Sequence, residues 1–344
     1  MSGRRIAVVL GGRSSEHEIS LASARSVIDA LSDAGHEVVT VAIDRSGQWQ
    51  LGEGRRALET VSSQSDETVS GSLGRLPGRE VATTLADVDV VFPVLHGPFG
   101  EDGTVQGLLE LAGVPYVGAG VLASALCMDK DVFKSVMRDH GIPVTRNITL
   151  RDGEEASNPF GYPCFVKPAR LGSSVGITKA HGLSELQAGV RLAFEHDEKV
   201  LVEELVRGVE VEVGVLGNRR PIASLPGEIV VTHNEWYDFE AKYDEGEMDL
   251  VVPARITAEQ IERSQKLAVD AFVATECEGM ARADMFVRED GEVLVNELNT
   301  IPGFTSTSVY ARLFEASGIG YRELLEQLAE LAVERFERRN ELRY

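Results

Sequence analysis

Apolar positions along this chain alternate between two periods. Ile6 to Leu10 is a short unbroken apolar run of the kind that makes a buried strand, and a helical pattern follows from Ile19 to Ala34. Strands are predicted over Glu37 to Ile43 and Val88 to Leu95, and a helix over Thr104 to Ala112. Such alternation predicts an open α/β lobe with a largely parallel sheet. Residues Gly52 to Arg79, rich in Gly, Ser and charge, read as a loop or insertion with no assigned role. A helix from Lys130 to His140 stops at Gly141 and Pro143, which marks a lobe boundary. Beyond it the pattern predicts strand Cys164 to Lys167, a glycine-serine loop from Gly172 to Gly176, helix Leu183 to Glu195, and strands Val200 to Glu204 and Glu210 to Leu216. A polar segment from Gly227 to Gly246, a long helix from Ala258 to Thr275, a hairpin over Ala281 to Leu298 and a terminal helix ending near Arg338 complete the chain.

The hairpin carries the sharpest chemical signal. Asp290-Gly291 between two β-rich runs is the preferred sequence of a two-residue type I′ turn. Counting outward from that turn pairs Glu289 with Glu292, Val287 with Leu294, Asp284 with Glu297 and Arg282 with Asn299. Ala283, Met285, Val287, Leu294 and Leu298 then share an apolar face, and Arg282, Asp284, Glu297 and Asn299 share the other. Two carboxylates opposite one another, about 4.5 to 5.5 Å apart at Cβ, repel unless neutralised. A divalent cation held by Asp284, Glu297 and Asn299 would neutralise them, and an all-oxygen set suits Mg²⁺ or Mn²⁺. A solvated polar face compensated by Arg282 is the competing explanation.

Composition narrows the classes. The 344 residues are enough for two or three lobes, and 43% hydrophobic with 26% charged residues is ordinary for a folded soluble protein. Thirty-four basic against 55 acidic residues give a net charge of -21, which disfavours nucleic acid and anionic membranes as partners. Any nucleotide site must therefore gather its own lysines, arginines, metal ions and backbone amides. Cys127, Cys164 and Cys277 are far apart with no metal or disulfide pattern, which fits a reducing cytoplasm. The run Ile6 to Leu10 is too short for a signal peptide, and the stretch Val114 to Met128 falls short of a membrane span.

Individually the remaining motifs are weak. Lys167 before the loop Gly172-Ser173-Ser174-Val175-Gly176 sets a cation beside amides and hydroxyls that could face phosphate, although a plain surface turn is the commoner use of such a loop. It is no Walker A sequence. Lys130 at a helix start would ordinarily be a surface lysine. Glu16, after the Gly11-Gly12 turn, is either a helix-dipole partner or an acceptor for a substrate ammonium group. His96 in its glycine turn would more often be structural than catalytic.

In combination these segments are specific. GGRSSEHEIS at Gly11, HGPFGEDGTVQG at His96, MDK at Met128, VKPARLGSSVG at Val166, VEELVRGVEVEVGVLGN at Val202, YDFEAKY at Tyr237, ARADMF at Ala281 and NELNTIPGFTSTS at Asn296 resemble the D-alanine:D-alanine ligases of the ATP-grasp superfamily. The resemblance covers nearly the whole chain. It implies an α/β and α+β architecture, an N-terminal open α/β lobe (1–125) followed by a two-lobed ATP-grasp fold (126–207 and 208–344). It implies Lys130, Lys167 and Ser174 on ATP phosphates, Glu203 near the adenine and Glu210 near the ribose, with Glu204, Val206 and Lys242 also at the nucleotide. Asp284, Glu297 and Asn299 match the ligands of two Mg²⁺ or Mn²⁺ ions, with a monovalent cation such as K⁺ as a further activator. Glu16, with Ser173 and Tyr243, would hold the first D-alanine's ammonium, His96 would contact substrate, and Arg282 with the Gly303 backbone would stabilise oxyanion charge. Ser308 and Lys242 would meet the second substrate's carboxylate or the transferred phosphate. Tyr243 would favour a dipeptide product over D-alanyl-D-lactate, and a homodimer is expected. The competing functions are a ligase taking D-lactate or D-serine, an NAD-dependent oxidoreductase, which the missing GxGxxG disfavours, and a non-catalytic nucleotide-binding module.

Overall fold

The structure, a computed structural model, describes residues 3–53, 76–172, 175–231 and 248–343. Most of the Gly52 to Arg79 segment, the polar segment beyond Val231, and the candidate residues Ser173, Ser174, Lys242 and Tyr243 lie outside the described residues.

The first sheet contains β1 (Arg5–Gly11), β2 (Glu37–Ile43), β3 (Trp49–Glu53) and β4 (Val90–Val94) in the order β3-β2-β1-β4. β1 is parallel to β2 and β4, as the alternation predicts, while β3 adds an antiparallel edge that the polar sequence around it concealed. Ile6, Val8 and Leu10 of β1 join the core beneath α1 (His17–Asp33), and Ala7 and Val9 join the one beneath α2 (Arg79–Ala86) and α3 (Thr104–Ala112). Both faces are covered, which is why β1 reads as an unbroken apolar run. The uncharged stretch before Met128 contributes α4 (Val121–Met128), and α5 (Lys130–Asp139) follows. Asp129 caps α5 by accepting the Val132 N–H at 3.1 Å.

The second sheet, β5 (Asn147–Arg151), β6 (Cys164–Pro168), β7 (Thr178–Ala180) and β8 (Lys199–Glu204), is antiparallel in the order β5-β8-β6-β7. α6 (Leu183–Phe194) packs Leu186, Val190 and Ala193 onto it. The third sheet runs β12-β11-β9-β13-β14, with β10 beside β9. Its strands are β9 (Gly208–Gly217), β10 (Ile222–Ala223), β11 (Gly227–Val231), β12 (Met248–Val251), β13 (Gly279–Arg288) and β14 (Val293–Asn299). α7 (Ala258–Ala274), opened by a Thr257/Gln260 capping box, buries Leu267, Ala271 and Phe272 against it. α8 (Val309–Ala316) and α9 (Tyr321–Asn340) end the chain.

The hairpin corrects the predicted register in an instructive way. The Arg288 N–H donates to Glu292 O at 2.8 Å and the Gly291 N–H to Arg288 O at 2.9 Å, so three residues, 289 to 291, form the loop, with Gly291 at φ +93°. This is the type I turn with a left-handed residue, not the type I′ turn. Pairing beside the loop is consequently shifted by one, Val287 opposite Val293 instead of Leu294. A β-bulge at Asn296 shifts it back, and Arg282 stands opposite Asn299 and Asp284 opposite Glu297, as the sequence predicts. Val293 and Val295 therefore join Ala283, Met285, Val287 and Leu298 in the core, and Leu294 pairs with Phe286 on the other face.

α9 closes the molecule on itself. Leu324, Leu325, Leu328 and Ala332 share a core with Ile6, Val8 and Leu10 of the first strand. Arg335, 3% exposed, donates to Tyr116 O at 2.7 Å and to Gly118 O, with its guanidinium 4.3 Å from the centre of the Tyr116 ring. No helix among the described residues is long and apolar enough to cross a membrane. Arg335→Leu leaves two buried carbonyls without their donor and is expected to lower unfolding free energy by about 3 kcal/mol, read by urea denaturation.

Candidate active site

A cavity of about 520 Å³ opens where the turn after β1, the turn after β4, the start of α5 and the segment beyond β14 converge. Glu16, His96, Lys130, Arg282, Glu297, Asn299, Gly303 and Ser308, all predicted from sequence, line it. Glu16 occupies the N-cap position of α1 but does not cap it with its side chain. Its carboxylate passes so close to Gly97 (φ +72°) that a Cβ there would lie 2.6 Å from Oε2, so the turn requires glycine. His96 is buried, with Nδ1 3.0 Å from Ile301 O and 3.8 Å from the Glu101 carboxylate. Burial opposes its charge, but the Glu101 hydrogen bond and the Glu101 and Glu16 charges raise its pKa above the ordinary imidazole value. Its Nε2 is buried without a hydrogen-bond partner among the described residues. A buried ring nitrogen in that state, on a cavity wall, suits an anionic group of a ligand.

Beside the wall that Arg282 and Glu297 form runs a row of carboxylates. Glu212 on β9 stands beside Asp284 on β13, which stands beside Glu297 on β14. Arg282 answers part of this charge: Nε lies 2.9 Å from Glu212 Oε2 and 2.7 Å from Asp284 Oδ1, and Nη2 lies 2.7 Å from Asp284 Oδ2. Lys130 Nζ lies 3.3 Å from Glu297 Oε2 and donates to Leu171 O at 2.8 Å. Arg282 thus compensates Asp284, as the bland alternative requires, and among the described residues no three His, Cys, Asp or Glu side chains form a cluster able to hold a metal. Asn299 adds the opposing observation: its Oδ1 is buried and has no partner among the described residues. Oxygen donors from Asp284, Glu297 and Asn299 fit the chemistry of Mg²⁺ or Mn²⁺.

Behind this wall lies a second charged cluster. Glu203, 4% exposed, receives Lys167 Nζ on Oε2 at 2.6 Å and Lys134 Nζ on Oε1 at 2.5 Å. The bulge residue Asn296 aims Oδ1 at both ammonium groups, 3.4 Å from Lys134 and 3.5 Å from Lys167. Burial pushes the Glu203 pKa up, but the two lysines outweigh it and hold the carboxyl below the ordinary glutamate value. Glu204 points elsewhere, its Oε2 2.7 Å from Arg146 Nη2. Val206 is half-buried in the link to β9, and Glu210 lies near enough to Lys167 to raise the lysine's pKa. Of the predicted nucleotide residues, Lys130 alone of those described lines the cavity, while Lys167 and Glu203 are joined to it through Asn296, next to Glu297.

Models of two halves of one enzyme family match the chain, the D-ala D-ala ligase N-terminus over residues 5–119 and the D-ala D-ala ligase C-terminus over residues 136–330. The chain belongs to the D-alanine:D-alanine ligase family. A D-alanine--D-alanine ligase A of Chromobacterium violaceum is 45% identical, with 96% of this chain and 95% of that protein covered. Among solved structures of this ligase fold, the VanG D-Ala:D-Ser ligase from Enterococcus faecalis matches with a TM-score of 0.81 at 38% identity, covering 96% of this chain and all of that one. D-alanine--D-alanine ligase from Bacillus anthracis complexed with ATP matches with a TM-score of 0.76 at 27% identity, covering 98% of this chain and 100% of that one.

Several residues of this ligase site were not singled out from the sequence. Glu212 was legible, since it alternates with the apolar positions Val209, Val211, Val213 and Val215 and shares a face with Glu210. Lys134 lies one helical turn beyond Lys130, beside buried Phe133 and Met137, and that spacing was its one signal. Glu101 and Asn296 gave none. Glu203→Gln leaves Lys134 and Lys167 buried without their anion and is expected to cost about 3 to 5 kcal/mol at neutral pH. Because the folded Glu203 pKa is depressed, its contribution is present above the unfolded value and is lost as pH falls through the folded one. Urea denaturation at a series of pH values should show the gap between parent and variant closing below the ordinary glutamate range.

Proposed function

We propose that this chain joins two D-alanine molecules into D-alanyl-D-alanine, using ATP and forming a D-alanyl phosphate, for peptidoglycan precursor synthesis. The observation that carries the reading is the convergence in one cavity of an ammonium acceptor, Glu16, an unsatisfied buried imidazole nitrogen on His96, and the Arg282 guanidinium beside Glu297 and Asn299. Family membership and the ATP complex of the Bacillus anthracis relative agree with it.

In this reading Glu16 binds the ammonium of the first D-alanine, together with Ser173 and Tyr243, and His96 orients its carboxylate. A carboxylate oxygen attacks the γ-phosphorus, the bond to ADP breaks, and an acyl phosphate forms. Lys130, Lys167 and Ser174 hold the phosphates, and Glu203, Glu204, Val206, Glu210 and Lys242 serve the nucleoside and its phosphates. Bound by Asp284, Glu297 and Asn299, Mg²⁺ or Mn²⁺, as two ions, would neutralise charge on the transferring group. The second D-alanine, its carboxylate at Ser308, then attacks the acyl carbon with its amine. Arg282 and the Gly303 backbone stabilise the oxyanion, phosphate leaves, and the amine gives up a proton. We further propose a cytoplasmic homodimer, K⁺ activation, and lobes at 1–125, 126–207 and 208–344. The 38% identity to the D-Ala:D-Ser ligase supports a second reading in which D-serine is the second substrate; Tyr243 favours the dipeptide of D-alanine.

The decisive assay is phosphate release from ATP and Mg²⁺ with D-alanine, against L-alanine and against D-alanine mixed with D-serine or D-lactate, with products identified by mass. Phosphate matched one to one by D-alanyl-D-alanine is expected; release matched instead by the mixed D-serine product would favour the second reading. Glu297→Gln should lower turnover about 100-fold or more, with an unfolding midpoint close to the parent's. Near-normal turnover in that variant would remove Glu297 from the metal site.

A further inference from the structure

Lys134 is a fully buried lysine that the proposed reaction does not use. Its Nζ meets Glu203 Oε1 at 2.5 Å, Thr145 Oγ1, and Asn296 Oδ1 at 3.4 Å, with no exposure to solvent. Glu203 turns its other oxygen to Lys167 at 2.6 Å. Lys167 is the residue the functional reading assigns to phosphate, yet here its ammonium is held by Glu203.

For Lys167 to meet a phosphate it must exchange the Glu203 carboxylate for the new anion. A carboxylate 4% exposed cannot be left alone, because an uncompensated buried charge is among the costliest defects a folded protein can carry. Lys134 removes that obstacle, because it already neutralises Glu203 from the far side and has no path to solvent or to the cavity. Asn296, lifted out of register by the β-bulge, offers Oδ1 to both ammonium groups and so keeps a contact for Lys167 on its way out. Burial and the Lys167 charge pull the Lys134 pKa down to about 8 against the opposing pull of Glu203, so the two cations compete for one anion.

We infer that Lys134 is a positioning residue for the nucleotide: as the permanent counterion of Glu203, it allows Lys167 to leave that carboxylate for a phosphate of ATP. This rests on the ligase reading of the site. It extends that reading to a residue that touches neither nucleotide nor substrate.

The test is calorimetric titration of ATP with Mg²⁺ into the full chain, with KM for ATP and for D-alanine measured in parallel. Lys134→Met leaves Lys167 as the single cation for Glu203 and should weaken ATP binding about tenfold or more. KM for D-alanine should stay within about twofold, because Glu16 and Ser308 are untouched. Lys134→Gln, which keeps polar contacts without the charge, should weaken ATP to a similar extent and serves if the Met variant does not fold. A merely structural lysine would raise the KM values for ATP and for D-alanine together, and that result overturns the proposal. ATP binding within about twofold of the parent in a folded Lys134→Met or Lys134→Gln variant also overturns it. A parent chain that binds no ATP overturns the ligase reading and this role together, so the two failures are distinguishable.

Discussion

Three carboxylates side by side across β9, β13 and β14 are the constraint on which the site is built. Directly opposed like charges destabilise a sheet, so this row is tolerable only where cations are delivered to it. Arg282 is delivered by the strand itself, two residues from Asp284 and on the same face. Lys130 is delivered by α5, whose start is fixed by the Asp129 cap and by the bond from its ammonium to Leu171 O. The buried Asn299 oxygen beside this row has no hydrogen-bond partner among the described residues.

A chain with net charge -21 meets the demand for local cations by burying them. Lys134 and Lys167 around Glu203, and Arg282 between Glu212 and Asp284, are charges removed from bulk water and held by specific partners. Water screens such pairs far less than it screens surface ones. The acidic exterior and the paired charges of the interior are therefore largely independent, and the overall charge says little about the charge that a ligand of the cleft carries.

The elements were legible where period and burial agree. β2 and α3 fall on their predicted residues because apolar runs there end at clear stop signals, and the first sheet is largely parallel, as its alternation implied. The hairpin was legible in its consequence but not in its cause. Asp-Gly suggested the wrong turn, and a bulge at Asn296 that no local sequence rule reveals restored Asp284 to Glu297. Of the cavity residues, Arg282, Glu297 and Asn299 were read from the hairpin register, and Glu16, His96, Lys130, Gly303 and Ser308 through motif order across the chain, since none of these five was convincing by itself. Lys134 and Glu101 escaped because a lysine on an amphipathic helix, or a glutamate in a polar turn, reads as solvated until the element packed over it is known.

α9 has a consequence for how this protein comes into being. The face of the first sheet that carries Ile6, Val8 and Leu10 is completed by Leu324, Leu325 and Leu328, which lie far from it along the chain. The packing of β1 is therefore not finished until α9 has docked, and the contact between them spans a long stretch of sequence. Such distant contacts slow folding and leave apolar surface open in the interval. For this enzyme fold the two segments stabilise each other, so a change that loosens α9 is felt at β1, although the two are remote in sequence.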